Sequence, residues 1–252
     1  GYEWDRIITF IKNPEIFVVF DIFKSRKEEF FTLSNLWHTR KILEQGEHWY
    51  DTVYDRIQNE DLPAEKYLLV IFPLTHYRVE GAEPEKRHYQ DELVIHQTTA
   101  QHFELSETVG FITVLIPHSA SESAEEWASC VSALPIQPEK AGLGVQIKTN
   151  GQNLIIAVKN DLRMDISRDW RRPKYTYESG KIKFGDFETN GDFVFASLRG
   201  TKLSYTIVNL TKALFQNKLL IEAKPSLYGL AFDASPDKAG IGKLRYWKDE
   251  VD

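Results

Sequence analysis

Three runs decide the fold: Trp4-Asp5-Arg6-Ile7-Ile8-Thr9-Phe10, Ile16-Phe17-Val18-Val19-Phe20-Asp21, and Phe30-Phe31-Thr32-Leu33-Ser34-Asn35-Leu36-Trp37-His38. The middle run is continuously apolar, rich in β-branched and aromatic residues, and preceded by Asn13-Pro14. It reads as a strand buried on both faces rather than a helix. Residues 6–11 and 15–23 are therefore predicted as two strands joined at Asn13-Pro14. Over 29–38, Phe31, Leu33 and Trp37 share one face while Thr32, Ser34 and His38 share the other, the two-residue period of a strand. A strand over 47–57 sets Trp49, Val53 and Ile57 against Tyr50 and Tyr54, with aromatics on both faces.

Working outward, apolar runs predict strands at 67–72, 88–96, 100–106 and 109–116, with a polar turn over Gly81 to Lys86. From Ser119 to Leu134 the period changes. Ser123-Ala124-Glu125-Glu126 has the form of a capping box, and Trp127, Cys130, Val131 and Leu134 fall at i, i+3, i+4, i+7. This predicts one helix, stopped by Pro135. Beyond it, Asn150-Gly151 and Asn190-Gly191 read as type I′ hairpin turns, with Ser179-Gly180 and Arg199-Gly200 as weaker turn signals. Strands are predicted at 144–149, 153–159, 174–179, 181–187, 192–198, 201–209 and 218–223. The expected fold is all-β: a large antiparallel β-sandwich, supersandwich-like, with one short helix. Residues 1–252 are read as one large sandwich, with a subdivision near 140–144 as the alternative.

The 252 residues suffice for a sizeable core. Apolar and charged fractions of 42% and 27% are ordinary for a globular chain. A net charge of -6 argues against nucleic acid or an anionic membrane as partner, and no apolar run approaches the ~18 residues of a membrane span. The single cysteine, Cys130, excludes an intrachain disulfide and a cysteine metal cluster. In its helical pattern it reads as a small buried hydrophobe rather than a catalytic thiol. Nucleophile elbows, phosphate loops and zinc-finger spacings are absent. The chain opens Gly1-Tyr2, which reads as a processed or cut piece, so a missing leader carries no information about export.

Trp4-Asp5-Arg6-Ile7-Ile8, the apolar strand closed by Asp21, the strand ending Leu36-Trp37-His38, and Phe111-Ile112-Thr113-Val114-Leu115-Ile116-Pro117-His118 together resemble the C-terminal β-sandwich of heparinase II/III-like polysaccharide lyases. That resemblance implies a bacterial, periplasmic or secreted parent enzyme that opens acidic polysaccharide. Such chemistry neutralises a uronate carboxyl, removes the neighbouring proton and protonates the leaving oxygen. In the family a helical toroid and a His-rich segment supply those groups. This chain has no His-x-His or His-x-x-His. No catalytic residue, metal ligand or cofactor carries over, and the fragment alone is expected to be inactive. Its implied partners are an N-terminal helical domain outside this chain and, through the parent protein, the acidic polysaccharide.

Candidate carbohydrate contacts are Trp37, His38 and Arg40, since an indole packs on a sugar face while His and Arg bind its oxygens. Trp49 and Tyr50 are further candidates, on opposite faces of one strand. Trp170, Arg171 and Arg172 lie in Arg168-Asp169-Trp170-Arg171-Arg172-Pro173-Lys174, the most basic local stretch. For each, a core or solvated-loop role is the competing reading. One rival whole-chain reading is an autonomous carbohydrate-binding module, which requires an exposed aromatic row. Another is a sugar-mutarotase-type enzyme needing a His and a carboxylate in one cleft, for which His96, His102 and Glu104 are the candidates.

Overall fold

The computed structural model describes residues 2–53, 67–84, 93–160, 162–165, 174–177, 180–222, 229–234 and 242–247. Among the described residues the architecture is all-β, built of antiparallel sheets, with one short helix. The chain divides into two compact units, Gly1–Ser132 and Ala133–Asp252.

The first unit contains β1 Tyr2–Lys12, β2 Glu15–Ser25, β3 Glu29–Thr39, β4 Lys41–Gln45, β5 Trp49–Val53, β6 Tyr67–Ile71, β7 Arg78–Pro84, β8 Leu93–Phe103 and β9 Thr108–His118, followed by helix α1 Ala124–Ser129. Six strands form one sheet in the order β1-β2-β9-β6-β5-β4, and three form a second in the order β3-β8-β7. The β1–β2 hairpin turns at Asn13-Pro14, with Lys12 opposite Glu15. Ile16, Val18 and Phe20 are fully buried on one face of β2, and Val19, Asp21 and Phe23 are buried on the other. The double burial read from the sequence is thus observed.

The two sheets pack through alternate residues. Phe23 and Phe111 of the larger sheet meet Leu33 and Phe103 of the smaller in one buried cluster. Tyr50, Val70, Phe72 and Ile95 form a second, with Trp37 and Leu115 against it. Rings in the first cluster pack edge-on, Phe23 and Phe103 at 5.2 Å and 61°. The strand positions between the clusters are polar: Asp21, Asn35, Gln97 and Thr113 are all essentially inaccessible.

Strand β10 Val131–Ala133 spans the boundary, and the second unit then runs through β11 Ile136–Gln137, β12 Gly142–Thr149, β13 Gln152–Lys159, β14 Leu162–Asp165, β15 Lys174–Tyr177, β16 Ile182–Phe184, β17 Phe187–Thr189, β18 Phe193–Arg199, β19 Lys202–Val208, β20 Lys212–Phe215, β21 Lys218–Glu222, β22 Gly229–Ala234 and β23 Gly242–Trp247. A seven-stranded sheet is ordered β10-β12-β13-β18-β19-β22-β23 and a five-stranded one β11-β16-β17-β20-β21, beside the β14–β15 ribbon. One core, including Ile155, Phe184, Phe187, Val194, Tyr205 and Phe215, joins the two larger sheets.

Several local readings are corrected. The helix ends at Cys130, whose amide bonds Trp127 O, and Val131–Ala133 is a strand. Leu134 gives its amide to Gly144 O at 2.8 Å and packs in the second unit's core, so tertiary packing overrides the helical period. Cys130 is half-buried rather than fully buried. Asn190-Gly191 is no hairpin: it carries the chain from the five-stranded to the seven-stranded sheet. Gly191 has no positive φ, and its Cα lies where a Cβ would meet Ile207 Cγ2 at 2.3 Å. The strand expected at 181–187 is broken by a tight turn at Gly185, φ +55, between Phe184 and Phe187. Residues 81–84 belong to β7 rather than a turn, and β8 is continuous where two strands were predicted.

Candidate functional site

The outward row of β1 defines the site. Tyr2, Trp4, Arg6, Ile8 and Phe10 alternate along one face, and all five are exposed, Tyr2 and Ile8 at 61%. At the strand rise, successive members stand about 6.8 Å apart, so the row is about 27 Å long. β1 forms one edge of its sheet, which is why these side chains border the sandwich interior yet meet solvent.

The centre of the row is tied down by buried polar groups. Arg6 grips Asp21 with two bonds, Nε to Oδ1 at 2.7 Å and Nη2 to Oδ2 at 3.1 Å. Trp4 Nε1 donates to the same Asp21 Oδ1 at 3.1 Å, and its ring stacks over Phe111 at 6.3 Å and 24°. Arg6 Nη2 also reaches Asn35 Oδ1 at 3.4 Å. Asn35 Nδ2 and Trp37 Nε1 both donate to Thr113 Oγ1, at 3.0 and 3.1 Å. The Arg6 guanidinium lies 5.8 Å from the Trp37 ring centre, a cation–π distance. Beside Asn35 in register sits fully buried Gln97, whose amide oxygen and nitrogen have no hydrogen-bond partner among the described residues.

This belt joins residues the sequence keeps far apart. An apolar filling would suit a sandwich at least as well, because burying charge is costly unless every lone pair and proton is matched. Here the bonds to Asp21, Asn35 and Thr113 fix the two indoles and the guanidinium in place. Asp5, on the opposite face of β1, has its carboxyl pushed above the usual range, first by burial and then by neighbouring Glu3.

The other candidates are dispersed. Trp37 joins the belt, half-buried, but His38 and Leu36 alternate to the outer face of the smaller sheet and are exposed. Arg40 is half-buried just past β3. Tyr50 is buried in the core. Trp49 is half-buried on the opposite face, its indole lying where a Gly46 side chain would sit, 2.1 Å from that Cβ position. Its neighbour on that face, Asp51, is buried against His118 at 3.0 Å. Trp170, Arg171 and Arg172 lie outside the described residues. His96 and His102 share the outer face of β8 about 20 Å apart at strand rise, pairing with Leu36 and Phe30, so the three enzyme candidates meet in no common cleft. Among the described residues, no three His, Cys, Asp or Glu side chains are grouped to hold a metal ion.

Sequence reasoning quoted Trp4, Arg6, Asp21 and Asn35 without listing them as contacts. The available signal was polar residues at inward positions of apolar strands: Asp21 after Val19, Asn35 between Leu33 and Trp37, and Thr113 inside Val109 to Ile116. No protein-family model, curated protein or solved structure matches this chain.

Proposed function

We propose that this chain is a polysaccharide-binding β-sandwich, the C-terminal part of a heparinase II/III-like lyase, and that β1 walls the sugar cleft. The observation that carries the reading is the exposed Tyr2-Trp4-Arg6 row, with Trp4 and Arg6 bonded from below to Asp21, Arg6 also to Asn35, and Tyr2 packed on Phe23. Pre-oriented indoles offer flat apolar faces to sugar rings at little entropic cost. The residues on which the resemblance rests, Trp4, Arg6, Asp21 and Trp37, belong to one bonded or stacked group. Proton transfer falls to groups of a helical domain outside this chain, and the acidic substrate and a periplasmic or extracellular location come with the parent enzyme.

The test is affinity electrophoresis of the chain through gels containing a panel of polysaccharides. Retardation by at least one, lost in Tyr2→Ala and Trp4→Ala with unchanged circular dichroism, is the expected result. Free migration in every gel removes the binding role. Exposed Ile8 and Phe10, the latter stacked on Phe17 at 4.5 Å, favour a second role for the far end of the row. Their apolar surface suits docking of the helical domain. Alone, the chain should generate no unsaturated-uronate absorbance from glycosaminoglycan or alginate.

A further inference from the structure

The charge arrangement along β1 says which sugars the row takes, granted that it binds polysaccharide. Arg6 is its central cation, and that cation is already neutralised. A guanidinium carries five N–H donors. The Nε donor and the Nη2 group are engaged by Asp21 and Asn35, which among the described residues leaves the Nη1 pair. Asp21 itself is fully buried against the half-exposed guanidinium, so its negative charge acts on anything approaching Arg6. The other cations near the strand stand beside acids. Arg26 bonds Glu3 at 2.8 Å, and Lys12 faces Glu15 across the hairpin end. On the reverse face Lys24 stands opposite Glu3, with Asp5 one step along.

A uronate carboxylate arriving at Arg6 would meet a cation whose field is cancelled by an adjacent buried anion. It would also have to be desolvated without a full charge in return. A hydroxyl or ring oxygen has no such difficulty. It can accept from Nη1 while the ring face lies on Trp4 or Tyr2. We propose that the Tyr2-Trp4-Arg6 row binds uncharged sugar residues by ring face and hydroxyl, and discriminates against uronates. In the parent enzyme this makes the row a grip on neutral sugars of a mixed polysaccharide, displaced from the acidic unit being cleaved.

Titration calorimetry of the full chain with length-matched oligosaccharides provides the test, using xylo-, manno- and gluco-oligomers against oligogalacturonate and oligomannuronate. The neutral series should bind at least about tenfold tighter than the uronates. Its affinity should hold within about twofold between roughly 0.05 and 0.5 M salt, since no net charge pairing is involved. Asp21→Asn keeps the side-chain shape but releases the guanidinium charge, so uronate affinity should rise in that variant, with folding checked by circular dichroism. Equal or tighter uronate binding that weakens with salt in the wild type would overturn the selectivity while leaving polysaccharide binding intact. Neutral binding unaffected by both Tyr2→Ala and Trp4→Phe would place the sugar elsewhere and overturn it too. Binding of neither series would remove the polysaccharide role along with this inference.

Discussion

Asp5 sits half-buried on the reverse face of β1, one alternation from Glu3, and holds its proton more tightly than an exposed aspartate. A carboxyl raised above its unfolded value of 3.8 binds protons in the native state where the unfolded chain has released them. Stability is therefore lost as pH rises through that window and stays lost at neutral pH. Asp5→Asn should raise the melting temperature at pH 7 and give no gain near about pH 3, below both values. His118 and Asp51 form a buried pair elsewhere in the same unit. Nε2 lies 3.0 Å from Asp51 Oδ1 and Nδ1 lies 3.1 Å from Ser119 O. His118→Ala strands a buried carboxylate and should cost about 3–5 kcal/mol by urea denaturation. The double variant Asp51→Leu with His118→Phe should cost markedly less, because no charge is left behind. The Asp51–His118 pair was not legible beforehand, because the two are 67 residues apart and only topology makes them neighbours; Asp5 and Glu3, two apart on one strand, could be read as sharing a face.

Turn chemistry decides how far single elements could be read in advance. Asn150-Gly151 is the two-residue turn its dipeptide advertises, with φ of 49° and 68° and Thr149 opposite Gln152. Nothing lies within 4 Å of an added Gly151 methyl, so Gly151→Ala should cost only its left-handed backbone penalty, about 1–2 kcal/mol, read as a shift in denaturation midpoint. The identical dipeptide at Asn190-Gly191 does something else. There Asn190 Oδ1 accepts the amides of Thr211 and Lys212, and Thr189 Oγ1 accepts that of Gly191, which anchors a sheet crossover. Gln216-Asn217 makes a hairpin with both residues at positive φ and no glycine. Local signals thus located most strands, because apolar alternation is set by the strand itself. They mistook the turns whose geometry is imposed by distant hydrogen bonds.

At the level of the whole molecule, each unit carries its own buried cluster. Phe103 is fully buried in a cluster of the first, and Phe184 in a cluster of the second. Replacing either by Ala should cost about 3–5 kcal/mol. Amide-resolved denaturation should show each variant weakening protection chiefly in its own unit. The all-β class was readable from periodicity alone. The site was not, because Arg6, Asp21, Asn35, Trp37 and Thr113 come together only once β2 has paired with β9 and β3 lies across them.

The position of β1 has a practical corollary. It is eleven residues long and, among the described residues, is hydrogen-bonded along one flank only. Its free flank is a ready template for another extended chain, and the greasy Ile8 and Phe10 would reward such a union. Glu3, Asp5 and Lys12 are the only charges besides Arg6 standing guard along it. Concentrated stocks in strong salt, where that guard is blunted, are where clouding and fibre-like precipitation should first be seen.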